Sequence, residues 1–190
     1  IFFSKIKIIY PSLTIFASIL PLYFVATSSE YRLSRIETWL SRKCDYGVDL
    51  LGDCFQLNQS RIAISSGGLF GLGPGTSRAR WGSLPNSYSD FISSIIGEEY
   101  GFFGLFLLVL AFFILISTTF LIAIREKNEI KKLISVGFGS WLFFQTVVNL
   151  GGAVGIVPIT GIVLPFVSYG SSAMISIFIA LGIMYSRDYE

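Results

Sequence analysis

GFFGLFLLVLAFFILISTTFLIAI, residues 101–124, is a run of 24 residues with no charge and no proline. As a helix rising about 1.5 Å per residue it would be roughly 36 Å long, more than the ~30 Å hydrocarbon core of a bilayer. A water-soluble domain has no use for so long an unbroken apolar stretch. The segment therefore sets the reading of the whole chain as a membrane protein.

Outward from it, the same pattern recurs. Residues 8–29 and 133–186 also lack Asp, Glu, Lys and Arg, and the second gap is long enough for two spans. The spans are expected at about 8–26, 101–124, 133–156 and 162–185. Pro11 sits in the first turn of the first span, where a missing N–H costs little, whereas Pro21 should kink it. Pro158 to Gly161 reads as a tight turn between the third and fourth spans, with Pro165 and Gly170 interrupting the first half of the fourth. Composition agrees: 53% of residues are apolar and 14% charged, against about a quarter charged in soluble domains. A net charge of +2 is too small and scattered to suggest a nucleic-acid partner. The sequence has no histidine, which removes the commonest neutral-pH base and leaves acid–base work to carboxylates. The chain begins at Ile1 without an initiator methionine or a signal-peptide pattern, and it reads as an excerpt from something longer.

Residues 27–100 form a polar loop with half of the 14 basic and two thirds of the 12 acidic residues. So long a segment is expected to carry helices of its own. Tyr31–Leu40, with Leu33, Ile36 and Leu40 on one face and Arg and aromatic residues beside them, suits a helix lying at lipid headgroups. A second is expected from Phe55 to about Ser65. Short loops rich in Lys and Arg stay in the cytoplasm. The 125–132 loop has a net charge of +2, and Lys5 and Lys7 precede the first span. Both votes agree if the two chain ends are inside and the 27–100 loop outside.

Within that loop stand QLNQSRIAISSGGLFGLGPG (56–75), LPNSYSDF (84–91) and IGEEYG (96–101), followed near the end by VPITG (157–161) and LPFVSYGSS (164–172). These blocks, in this order, resemble the shape, elongation, division and sporulation family of bacteria, whose members polymerise the lipid-linked peptidoglycan precursor lipid II. The resemblance runs from Ser28 to Ser186. It implies an all-α polytopic membrane protein with ten transmembrane helices, of which this chain would hold the last four. The long extracytoplasmic loop would then join the seventh and eighth. Gly97 before Glu98-Glu99, where rod-shape members often have Ala, points to the division or sporulation type. The family's essential aspartate follows a Leu-Pro-Glu-x-His-Thr pattern and maps onto Asp90. Here Asn86 replaces the Glu, Tyr88 the His and Ser89 the Thr. An upstream basic residue, typically Lys, maps onto Arg80, and the usual Tyr-Gly-Gly-Ser-Ser reads Tyr169-Gly170-Ser171-Ser172.

The implied reaction joins the C4 hydroxyl of an acceptor N-acetylglucosamine to the anomeric carbon of a donor N-acetylmuramic acid, with inversion. It calls for one carboxylate as general base and for cations against the departing diphosphate. The resemblance gives Asp90 the first role; the local alternative is a cap on the helix that follows. Arg78 and Arg80 suit the diphosphate, because a guanidinium fork matches phosphoryl oxygens, or they snorkel beside Trp81. Arg61 contacts substrate or pairs within the loop. Glu98 and Glu99 either face a helix N-terminus, or orient Arg80 and help hold a divalent ion. Ser171 and Ser172, like Asn149, Thr160, Ser168 and Tyr169, hydrogen-bond between helices or line a lipid groove. Gly67, Gly68, Gly71, Gly73 and Gly75 make a chain reversal or present amides to phosphate. A Mg2+ or Mn2+ ion at Asp90 is compatible with this class, and no organic cofactor is expected. Cys44 and Cys54 both fall in the outer loop, where an oxidising compartment permits a disulfide; free thiols are the alternative.

The implied partners are lipid II, a class B penicillin-binding protein acting as transpeptidase, and divisome or elongasome proteins, all at the bacterial plasma membrane. Two rivals remain open at this level. A lipid II transporter would also use broken helices, although it would more often carry ionisable residues within its spans. A catalytically weakened scaffold for the transpeptidase fits the changes at Asn86 and Tyr88.

Overall fold

The computed structural model describes residues 9–42, 44, 54–82 and 84–185. Lys5, Lys7, Ile8 at the head of the first expected span, and the tail 186–190 lie outside the described residues. The described chain is all helix and loop. Its helices are α1 (Ile9–Thr27), α2 (Glu30–Leu40), α3 (Phe55–Ser66), α4 (Ile92–Arg125), α5 (Glu129–Val154) and α6 (Ser171–Tyr185), with a short 3-10 turn at Ala79–Trp81.

Among the described residues, α4 and α5 are long and apolar enough to cross a membrane. Along α4, Phe102, Phe106, Leu107, Phe113 and Leu121 point outward and are exposed, as suits a helix whose surroundings are apolar. Asn128 starts α5 by accepting hydrogen bonds from the amides of Ile130 and Lys131, satisfying donors that the first turn cannot pair. Phe138, Leu142, Gln145, Asn149 and Gly152 recur along α5 at three- and four-residue spacing, and all are buried. Phe138 and Leu142 form one core with Ile177 and Met184 of α6, against Leu115, Ile116 and Ile122 of α4.

A second core lies where α3, the start of α4 and the end of α5 meet, built from Ala63, Ala79, Leu84, Phe91 and Ala153, with Ile159 packed on it. Ser60 of α3 ties the three helices there. Its hydroxyl pairs with Ser94 Oγ at 2.7 Å and with the Ala153 carbonyl at 2.6 Å. Cys54, fully buried at the head of α3, forms a disulfide with Cys44, the Cα atoms 5.2 Å apart.

The last expected span differs from the structure. α5 ends at Val154 with Gly155 in the left-handed conformation, and no helix resumes until Ser171. Residues 156–170 instead run as an irregular strap. Pro158 and Pro165 have no amide to give a helix, and Gly161 (φ 72°) and Phe166 (φ 61°) turn the backbone the wrong way for one. α6 therefore covers 15 residues, roughly 22 Å of rise. α4 likewise begins earlier than residue 101. Ile92–Tyr100 is a largely buried first segment, and the chain breaks at Gly101 (φ 65°, ψ −159°) before the apolar shaft begins.

Candidate functional site

The break at Gly101 is made by the glycine-rich arm that follows α3. Leu72 and Gly73 donate their amides to the carbonyls of Glu98 and Glu99, at 2.9 and 3.0 Å, and Phe102 and Phe103 donate to Gly68 and Leu69. The two backbones touch so closely that a Cβ on Gly71 would overlap the Glu99 carbonyl, and one on Gly101 would overlap that of Leu69. With the amides of Gly68, Gly71, Leu72 and Gly73 all bonded to carbonyls, the arm is a chain reversal, not a phosphate cradle.

This packing buries Glu98, only 3% exposed, where its carboxylate collects three donors: the Ser77 hydroxyl at 2.6 Å, the Arg78 amide at 3.1 Å and the Ala79 amide at 3.2 Å. Ser77 Oγ in turn accepts the Arg80 amide. Glu98 thus anchors the turn that carries both arginines. Glu99 is also buried, and its Oε1 has no hydrogen-bond partner among the described residues.

From this turn Arg80 projects into solvent, its guanidinium 5.4 Å from the Trp81 ring and 5.9 Å from the Tyr88 ring. A hydrogen bond to the Tyr88 side chain, then the electrostatic pull of Tyr88 and Glu99, raises its already high pKa further, so Arg80 is a fixed cation. Arg78 is exposed and lines a cleft of about 360 Å³ with Gln59, Ser66 and Glu98.

Asp90 ends a tight turn closed by Asn86 (φ 55°), whose carbonyl accepts the Ser89 and Asp90 amides. Three successive carbonyls of this turn are gripped from outside it. Tyr169 N–H donates to Tyr88, Ser168 Oγ to Ser89, and Asn149 Nδ2 to Asp90 at 3.1 Å. The Asp90 carboxylate is half-buried and makes no hydrogen bond to the described residues. It lies beside Gly161, where a Cβ would stand 3.7 Å from Oδ2. Nor does it cap α4: the capping position is Phe91, and no side chain caps that end. The capping alternative is therefore corrected, because the Asn86 turn delivers Asp90 one residue too early.

Arg80 meets the ring of Tyr88, which precedes Asp90 by two residues in the same turn, and it feels the charge of Glu99. Ser171 and Ser172 are exposed at the start of α6 and do not bond to the Asp90 turn; Ser168 and Tyr169 do. Arg61 lies elsewhere. Its Nε donates to the Val154 carbonyl at the end of α5, at 3.0 Å, and it lines a cleft of about 570 Å³ with Arg35, Arg42, Trp39 and Pro158. Arg35 there donates to the Ile159 carbonyl and to Gln56. Sequence reasoning missed Arg35 and gave Asn149 and Ser168 only a generic role. Asn149 and Gln145, two amides four residues apart in a charge-free stretch, were the available signal. No group of three His, Cys, Asp or Glu side chains converges among the described residues. Asp90 could give a Mg2+ or Mn2+ ion one oxygen, the rest of the shell falling to substrate phosphate and water, as Mg2+ commonly accepts.

The chain is all-α and membrane-associated, with a half-buried carboxylate at Asp90 and an aromatic-flanked arginine at Arg80. All of residues 1–190 match the cell cycle protein family of FtsW, RodA and SpoVE, and the chain belongs to that family. It is 37% identical over 175 residues to a probable peptidoglycan glycosyltransferase FtsW of Wigglesworthia glossinidia brevipalpis, covering 90% of this chain and 45% of that protein. It is 38% identical over 165 residues to stage V sporulation protein E of Bacillus subtilis strain 168, covering 84% and 44%. Its fold is similar to a chain from a solved peptidoglycan synthase complex that coordinates polymerization and crosslinking (TM-score 0.61, 27% identity, 92% of this chain and 46% of the other). The chain spans about half the length of the curated relatives it matches.

Proposed function

We propose that this chain forms the catalytic half of a lipid II polymerase that builds β-1,4-linked glycan and releases polyprenyl diphosphate. The observation that carries the reading is the Asp90 carboxylate: half-buried, without a hydrogen-bond partner among the described residues, on a turn whose backbone is held at three consecutive carbonyls. Such a group is positioned but unoccupied by structural work. It takes the proton of the acceptor C4 hydroxyl as that oxygen bonds to the anomeric carbon. The bond from that carbon to the phosphate oxygen breaks on the opposite face, and its electron pair leaves with the diphosphate. Arg80, with Arg78 nearby on the same turn, matches the growing negative charge, so no general acid is needed. Inversion follows from the single displacement.

In this reading α1, α4, α5 and the strap with α6 are four membrane spans, residues 125–132 are cytoplasmic, and the Asp90 loop is outside. The partner is a class B penicillin-binding protein, in keeping with the synthase complex that contains the similar chain.

The test is Asp90→Asn in the full-length protein with its transpeptidase, reading polymerised glycan per folded protein. Loss of a positioned base should cost about 10²-fold or more, with insertion and complex formation retained. Activity within about twofold of wild type would be far short of that loss and would remove Asp90 from the chemistry, favouring a transporter or a scaffold.

A further inference from the structure

We infer that Asn149 is a positioning residue for the Asp90 carboxylate; the inference rests on the proposal that Asp90 is the base. Asn149 lies near the end of α5, 4% exposed. Its Nδ2 donates to two carbonyls from different parts of the chain: Asp90 at 3.1 Å and Ile162 of the strap at 2.7 Å. Among the described residues, its amide alone bonds both the catalytic turn and the strap from a helix. The other ties belong to one or the other. One turn earlier on α5, Gln145 Nε2 donates to Val163 of the strap at 3.0 Å and does not bond to the turn. Ser168 and Tyr169, within the strap, grip Ser89 and Tyr88.

The geometry makes Asn149 the link that fixes the turn to the rigid helix directly, at the residue that bears the carboxylate. Both bonds use the amide's protons, so an acid of the same shape could not make them and would face two carbonyl oxygens with a charge. A displacement of about 1 Å at the reacting group can cost about 10²-fold in rate, and the Asp90 carbonyl is three bonds from the carboxyl carbon. Asn149 therefore acts on turnover through Asp90 and not on lipid II affinity.

The experiment is a double-mutant cycle in the full-length protein with Asn149→Ala, Asp90→Asn and the pair, measuring kcat and KM for lipid II. Asn149→Ala should lower kcat by about 10²-fold with KM little changed, and it should add nothing once Asp90 is already Asn. Gln145→Ala is the control for a loosened strap: it should lower thermal stability as much while keeping most of kcat. Losses that multiply in the double variant, or an equal fall in kcat for Gln145→Ala, would overturn the positioning role while leaving Asp90 as base. A fully active Asp90→Asn would instead overturn the underlying reading. Should Asn149→Ala fail to fold, Asn149→Ser retains one donor and should show a kcat lowered at unchanged KM; wild-type kcat in that variant would overturn the inference.

Discussion

Glu98 and Asp90 lie eight residues apart around the start of α4, and the surrounding chain treats their carboxylates in opposite ways. Glu98 is enclosed and receives three donors from Ser77, Arg78 and Ala79. Asp90 is half-buried and receives none among the described residues, while the backbone beneath it is tied down by Asn149, Ser168 and Tyr169. A carboxylate whose lone pairs are filled by the protein builds structure. One whose backbone is fixed and whose oxygens are left open can serve a substrate. The same two residues also differ in what fixes them. Glu98 is set by a backbone-to-backbone seam between the glycine arm and the α4 kink, Asp90 by side chains from distant segments.

The sharpest way to break this contrast is to empty the Glu98 site. Glu98→Ala leaves the Arg78 and Ala79 amides without their acceptor, each at about 1–3 kcal/mol, so the folded protein should lose about 3 kcal/mol or more. Thermal unfolding in detergent measures it. A small shift in melting temperature with a large loss of glycan synthesis would mean that Glu98 serves the substrate after all.

A smaller effect is expected on the Asp90 side. Gly161 has φ 72°, and a side chain there costs about 1–2 kcal/mol, so Gly161→Ala should destabilise by that amount. Its methyl would stand at ordinary contact distance from Asp90 Oδ2, leaving the carboxylate open. Turnover should therefore fall no further than the folded fraction does, and a fall in kcat beyond it would show the Asp90 carboxylate to be confined, as Glu98 is, and not open.

The least effect is expected at the link between the two regions. Tyr88→Phe keeps the ring against Arg80 but removes the hydrogen bond that helps hold that cation. At about 1 kcal/mol for one hydrogen bond, synthesis at limiting lipid II should drop roughly fivefold with stability unchanged. No change at all would uncouple Arg80 from the Asp90 turn.

Much of the fold was legible in the sequence because its signals are local. The helices at Glu30–Leu40 and Phe55–Ser66 fall within a residue of their expected bounds, since apolar spacing and the flanking polar residues announce them. The fourth expected span, 162–185, opens as an irregular strap and becomes helical only at Ser171. Pro165 and Gly170 announced an interruption there, and the dihedral angles at Gly161 and Phe166 show how far the irregular path extends. For Glu98 the sequence left a helix N-terminus and a role beside Arg80 and a divalent ion both open, because its position before an apolar run says nothing of the Ser77 turn that folds back over it.

From the sequence came a helical, membrane-associated chain of its family, with Asp90 and Arg80 as candidate site residues. Charge-free runs and motif blocks are properties of adjacent residues and need no fold to be recognised. Only the tertiary structure decided which carboxylate is enclosed and which is open, and that Asn149, 59 residues from Asp90, holds the turn beneath it. Those outcomes depend on hydrogen bonds between groups that meet only after the helices pack, and a buried donor takes whichever carbonyl the packing presents.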